Sequence, residues 1–446
     1  MDILRVENKL AENRITEKTK AEKVINFKLN FILLASGRVV TGLSASILGF
    51  ALGLYVLDFT GSASAFSMLL AFGSLPGIFT NILAGVFVDK HNKKKIMVLS
   101  DIFSGSLALL FSLVLLSGIK SIMFFIVYSI IQSMVQSLFG LAVGASIPNI
   151  VNDENVPRVN STFQGIGAVI SIIGPIIGAI VYKVIDLKLI FIIDGFALIF
   201  AGTMEALLRF RPSAAIPDEA DKTGYLQDIR LTFKYLLDRR VLAFFFVFAV
   251  VINTVYNPVM YLILPYINYN VIKISGLQLS IIQSSGAVGV ILAALILQIK
   301  NMDKKLLRKF FTMFRLQAVL VLLWAFPNIS LFKEGNKWDV TLIFAVFITL
   351  YGMSNTMQNV PMVTYFQMQV PENMRARLFS VLSTAAGISS PIGMWVYGIL
   401  LEKVNWVYVT TFSGVIMLTI ALFASRNVYY RSFIRELDMQ KGGNVP

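Results

Sequence analysis

Long apolar runs, broken by short charged bends, leave this chain few folds to choose from. One run, "LIFIIDGFALIFAGTMEALL" (Leu189–Leu208), holds two acids in an otherwise greasy stretch. A helix that is apolar all round has no wet face, and about 20 such residues cross the hydrocarbon of a bilayer. Twelve segments read this way. The first six are Leu29–Leu57, Phe66–Val88, Ile96–Leu116, Ile122–Ala145, Thr162–Tyr182 and Leu189–Leu208. The second six are Val241–Tyr266, Leu277–Ile299, Phe310–Phe326, Val340–Tyr365, Leu378–Leu401 and Trp406–Ala424. Backbone polar groups find no water inside a bilayer, so each segment must close its own hydrogen bonds as a helix.

Composition agrees. Only 14% of the 446 residues are charged, against about 25% in a soluble domain, and the mean hydropathy is +0.74. The net charge of +14 sits in clusters between apolar runs, which argues against a nucleic-acid-binding face. There is no cysteine, hence no disulfide or thiol chemistry. No P-loop and no metal-ligand spacing appears, so neither a catalytic residue, a cofactor nor a metal is expected. The polar start of the chain lacks the apolar core of a signal peptide.

The expected organisation is a cytoplasmic tail (1–28), a six-helix bundle (29–209), a cytoplasmic linker with an amphipathic helix (210–240), a second six-helix bundle (241–425) and a cytoplasmic tail (426–446). With the N-terminus inside, inner segments hold about 30 Lys and Arg and outer ones about 7, as the positive-inside rule requires. The halves echo each other. "NDENVPRVNSTFQGIGAVISIIGPIIGAIVY" follows the fourth span and "VPENMRARLFSVLSTAAGISSPIGMWVY" the tenth. "KNMDKKLLRK" after the eighth repeats the basic bend "DKHNKKK" after the second. Repeated halves place a binding site at the midplane between them.

Polar groups inside the membrane are expensive and mark function by default. They recur at helical spacing: Arg38 and Thr41; Gln132 and Gln136; Asn253 and Asn257; Asn355, Gln358 and Asn359. Phe72, Tyr256, Tyr351 and Met357 add aromatic and sulfur-bearing surface. Asp194 reads as the one acid well inside a helix, with Arg38 as its reachable partner. Asp58 stands at an outer mouth. Glu205 is expected to snorkel from a helix end, and His91 to be solvated. At the first basic bend, Gly85 would let another backbone approach and Asp89 would face the positive end of a neighbouring helix.

That bend, with Gly85, Asp89, Lys90, Lys93 and Lys94, resembles the G-x-x-x-D-[RK]-x-x-[RK]-[RK] signature of the major facilitator superfamily. "YVLDFTGSASAFSMLL" and "RARLFSVLSTAAGISSPIGMWVYGIL" look like its macrolide-efflux and siderophore-exporter group. The resemblance implies an all-α membrane protein of two pseudo-symmetric six-helix bundles, with spans one, four, seven and ten lining a cavity. It implies a conformational latch between the bend and the start of span eleven, at Arg375 and Arg377. Gly174, Pro175 and Gly178 are similar to an antiporter motif. The implied activity is secondary export of hydrophobic or amphiphilic small molecules by alternating access in exchange for protons, with Asp194 and Arg38 as the coupling pair. The implied setting is a monomer in a bacterial inner membrane, both ends cytoplasmic, with the bilayer, protons and a small-molecule substrate as partners and no nucleic acid. An exporter of one metabolite, peptide or siderophore, a transport-inactive sensor, and an importer are the alternatives.

Overall fold

The computed structural model describes residues 27–118, 121–151, 155–210, 225–299, 302–328 and 336–442; no strand occurs among them. Six helices form the first half: α1 (Phe27–Thr60), α2 (Ala63–Lys90), α3 (Lys93–Leu116), α4 (Ile122–Ile150), α5 (Val156–Val184) and α6 (Leu187–Ala206). A short amphipathic helix, α7 (Tyr225–Asp238), precedes the second half. The second half holds α8 (Arg240–Pro258), α9 (Gly276–Leu297), α10 (Met302–Arg308), α11 (Phe310–Leu323), α12 (Lys337–Gln369), α13 (Glu372–Lys403) and α14 (Trp406–Arg426). A last helix, α15 (Val428–Gly442), ends the described chain.

Among the described residues, twelve helices are long and apolar enough to cross a membrane, one for each segment read from the sequence. The ends are set by side-chain caps. Ser62, Asn92, Ser121, Asn336 and Asn405 each accept a hydrogen bond from a backbone N–H of the first turn they open, and Ser275 forms a full capping box with Gln278. Each satisfies a donor that the helix itself leaves free. The three lysines that open α3 oppose its dipole. The physical use of so much positive charge there is attraction to an anionic membrane surface rather than helix stability.

The seventh span runs past its expected end. After Pro258 the backbone continues in wide π-type turns over Val259–Ile263 and Tyr266–Val271, each opened by a proline. Proline removes one ladder N–H and crowds the preceding turn, and widening the helix relieves both.

Packing repeats between the halves. α1 lies on α5, α2 on α4 and α3 on α6; correspondingly, α8 lies on α13, α9 on α12 and α11 on α14. Between bundles, α2 meets α13 and α5 meets α9, two contacts that a half-turn exchanges. Small residues set these distances. A Cβ on Gly289 would stand 2.0 Å from the Thr349 carbonyl oxygen, and one on Gly393 2.1 Å from that of Thr254. In lipid such close packing replaces the hydrophobic effect as the force between helices. Large side chains such as Leu99, Phe196 and Phe412 point outward and stay exposed, as a lipid-facing surface requires.

Two segments outside the spans are packed helices. α7 buries Leu236 against Val370 and Leu378. α15 buries Phe433 and Tyr430 under the second bundle, and Arg308 pairs with Asp438 at 2.7 Å. The region expected as a polar tail is thus a packed helix, because Tyr430, Phe433 and Ile434 share one face. The N-terminal tail and residues 211–224 of the linker lie outside the described residues.

Candidate substrate cavity and buried carboxylates

The second bundle encloses a cavity of about 380 Å³. It reaches from Tyr256 and Tyr261 in α8 and its continuation to Leu236 and Leu378 beside the face where the chain termini lie. The walls are Phe245, Phe248, Phe310, Phe314 and Phe366, with polar groups set among them: Asn253, Gln317, Asn355, Gln358 and Asn359. None of its described lining residues is charged. Gln317 Nε2 donates to Gln358 Oε1 at 2.9 Å, and Gln317, 0% exposed, keeps Oε1 without a partner. Asn257 Nδ2 donates to Asn253 Oδ1 at 3.0 Å, so it orients a lining amide without lining the cavity itself. Tyr351 stands behind Tyr256, ring centroids 5.2 Å apart.

Of the polar residues expected around a cavity, Asn253, Asn355, Gln358 and Asn359 come together here. Arg38, Thr41, Gln132 and Gln136 do not; they belong to the first bundle. Gln132 Oε1 and Gln136 Nε2 are buried without partners. Met357 packs with Ala293 and Leu306 away from the cavity, and Phe72 is exposed.

The first bundle holds acids instead. Thr41 Oγ1 donates to Asp101 Oδ2 at 2.8 Å, and Ser44 Oγ donates to Asp194 Oδ1 at 2.5 Å. Arg38 is exposed, and Asp194 takes Ser44 as its partner, so the pair expected from sequence is not brought together in this conformation. Asp194 is also not the one acid well inside a helix. Asp101 is 0% exposed and Glu205 2%; Glu205 lies against Gly37, where a Cβ would stand 3.6 Å from its Cγ. Glu205 fails to snorkel because α6 ends pressed against α1. The signal for this packing was in the sequence: Gly105, Gly195 and Gly202 flank the acids on α3 and α6. A Cβ on Gly105 would meet the Gly195 carbonyl oxygen at 2.5 Å, and one on Gly202 would meet Asp101 Cβ at 3.4 Å.

At the basic bend, Lys94 Nζ donates to the Leu208 carbonyl at 2.7 Å. It therefore closes the end of α6 within its own bundle. Lys90 is exposed and Lys93 half-buried. A Cβ at Gly85 would have nothing within 4 Å, so among the described residues no backbone approaches it in this conformation. The side chains of Asp89, Arg375 and Arg377 lie outside the described set. Gly174 and Gly178 seat α5 on α1, where added Cβ atoms would meet Ser46 Oγ at 2.1 Å and the Ile47 carbonyl oxygen at 3.0 Å, and Pro175 lies inside α5. His91 is exposed, its ring stacked on Phe87.

On the face opposite the termini the bundles are joined. Asp58 accepts from Tyr182 Oη at 2.7 Å and, across the bundles, from Tyr269 Oη at 2.9 Å. Asn270 Nδ2 donates to the Gly61 carbonyl at 2.9 Å, and Ser62 Oγ donates to Glu402. Gly398 lets α13 close on Ser67. Deeper in, Ser284 Oγ donates to the Ile172 carbonyl at 2.7 Å. These contacts tie the two bundles together on this distal face.

Relatives carry the same plan. Macrolide efflux protein A of Streptococcus pyogenes is 23% identical over 420 residues, spanning 94% of this chain and 100% of that protein. Among solved structures, the nucleoside transporter NupG superposes with a TM-score of 0.67 at 14% identity, covering 90% of this chain and 99% of that one. A bacterial homologue of the iron transporter ferroportin, in an inward-facing state, does so with 0.65 at 14% identity, covering 89% and 99%. Residues 34–333 match the Major Facilitator Superfamily. The chain belongs to that superfamily and is a multi-pass membrane transporter, not an enzyme.

Proposed function

We propose that this transporter exports hydrophobic or amphiphilic small molecules across a bacterial inner membrane in exchange for protons. The observation that carries the reading is the cavity in the second bundle: aromatic walls, five amide side chains and no charge among its described lining residues. Such a lining dehydrates an uncharged, ring-bearing or amphiphilic cargo at low cost and orients it through a few hydrogen bonds. The related macrolide efflux proteins support the same class of cargo. With the positive-inside orientation, both termini are cytoplasmic, so the closed distal face is external and this conformation receives cargo from the cytoplasm. Export then follows when the two bundles rock about the cavity, opening the Asp58–Tyr269 side and closing the bend at Gly85 and Asp89 against α13. Protons enter by the opposite route and bind a carboxylate of the first bundle.

Inside-out vesicles and a panel headed by a radiolabelled macrolide test the reading. The wild-type protein is expected to accumulate the probe when the vesicle interior is acid and to lose accumulation when the gradient is collapsed. Asp194→Asn is expected to abolish gradient-driven accumulation while leaving counterflow intact. Accumulation by wild type that ignores the pH gradient refutes proton exchange. Orientation is checked separately, since the chain has no native cysteine: Asn92→Cys should label only from the cytoplasm and Ser117→Cys only from outside.

A further inference from the structure

Among the described residues, three carboxylates are buried in the first bundle: Asp101, Asp194 and Glu205, at 0%, 4% and 2% exposure. α3 and α6 bring them together by touching backbone to backbone at Gly105, Gly195 and Gly202. α1 covers them with Thr41 and Ser44, whose hydroxyls donate to Asp101 and Asp194. One oxygen of each acid has no partner: Asp101 Oδ1, Asp194 Oδ2 and Glu205 Oε2. A second set of atoms is equally unsatisfied. Ser104 Oγ, one turn along from Asp101, and Tyr128 Oη on α4 are buried and unpartnered. The Tyr128 ring meets Phe191 edge-on at 5.0 Å, one turn before Asp194, and lies within electrostatic reach of that carboxylate.

The surroundings decide what such a site holds. No group of His, Cys, Asp and Glu able to hold a metal ion occurs among the described residues. α1 contributes one cation, Arg38, within electrostatic reach of Asp101 but exposed. α4 contributes Tyr128 and no charge, and α2 and α5 carry charge only at their ends. Three buried anions with no buried cation among them are strongly disfavoured in this medium, so the cluster must take up protons to persist. The groups lining it are hydroxyls, and a hydroxyl serves both states: it donates to a carboxylate and, turned, accepts from a carboxylic acid. A guanidinium at those places, with donors only, would favour the carboxylate alone.

We infer that Asp101, Glu205 and Asp194 form a single exchangeable-proton site within the first bundle, centred on Asp101 and separate from the substrate cavity. The assignment rests on the proton-exchange reading above for its role in transport, but the site itself is read out without cargo. Infrared difference spectroscopy on the reconstituted full-length protein follows the carboxylic C=O band while pH is stepped over about 5 to 9, the range open to buried acids. The expected result is a pH-dependent band that loses one carboxyl's share in Asp101→Asn and again in Glu205→Gln. Thr41→Val, which removes only the hydroxyl donor, should keep the amplitude and move the Asp101 component in frequency. A band without pH dependence, or full amplitude in both Asp101→Asn and Glu205→Gln, overturns the site. If the band behaves as expected while wild-type accumulation ignores the pH gradient, the site stands and the proton-exchange reading falls.

Discussion

Asp101 is the ninth residue of α3 and Gln317 the eighth of α11, near-equivalent places in the two halves. Both side chains are fully buried and both face a hydrogen-bonding partner on another helix, Thr41 in one case and Gln358 in the other. One is an acid and the other an amide. The difference extends along the partner helices, for α6 carries Asp194 and Glu205 whereas α14 carries no acid at all. One scaffold, used twice, has been given titratable groups in one copy and neutral hydrogen-bonding groups in the other. On the proposed reading, separation of this kind would keep a proton site and a cargo site from competing for the same side chains, with rocking of the bundles as the means by which they communicate.

Exchanging the chemistry is the most damaging way to probe this division. Gln317→Glu places an unpaired carboxylate in the apolar second bundle, and insertion scales put an acid at membrane depth at about 2.5–3.5 kcal/mol. The variant is expected to unfold at markedly lower temperature in detergent, followed by tryptophan fluorescence, whereas Asp194→Asn should hold or gain stability. Equal losses in both would erase the distinction between the bundles.

A smaller effect separates how the two helix pairs are packed. A Cβ on Gly105 meets a backbone carbonyl oxygen at 2.5 Å, while one on Gly414 in α14 meets the Leu322 side chain at 2.6 Å and comes no nearer than 3.0 Å to its backbone. Gly105→Ala should therefore cost about 1–3 kcal/mol and Gly414→Ala less. The reverse order in thermal unfolding would mean that α3 and α6 separate more easily than their contacts indicate.

The smallest expected change lies at the distal face. Tyr269→Phe removes a hydrogen bond between bundles, and Tyr182→Phe one within the first bundle, both to Asp58. The first should shift the balance towards distal opening by about 0.5–1.5 kcal/mol, seen as a longer spin-label distance population across that face. The second should leave the distances unchanged. Identical behaviour would show that Asp58 does not hold the bundles together.

Much of this was legible in the sequence, and for definite reasons. Apolar runs of membrane length fixed the twelve spans, since nothing else hides so much greasy surface. Asn253, Asn355, Gln358 and Asn359 were legible because spacing of three and four gathers polar groups on one helix face. Gln317 was not, being a lone amide in "FRLQAVLVLL" with no periodic companion. Asp101 was not, although it lies inside the third span, because it stands close to that span's basic start and its burial is decided by α6 closing through glycines far along the chain. The extension of the seventh span past Tyr266 to Val271 could not be read either, because a proline such as Pro265 more often ends a helix than widens it. Glu205 and α15 share one cause: a charged or polar stretch at a membrane edge looks solvated until a neighbour covers it.

The uncharged lining of the cavity sets the electrical cost of each cycle. If cargo crosses without charge, a proton exchanged for it moves one net positive charge inward, and the membrane potential contributes about 2.3 kcal/mol per 100 mV alongside the pH gradient. A cationic cargo exchanged for one proton would move no net charge and draw on the pH gradient alone. On the proposed exchange of uncharged cargo for protons, the neutral amides of α8, α11 and α12 would make the cycle voltage-driven, and the current passed per molecule of cargo would measure the charge that the cavity accepts.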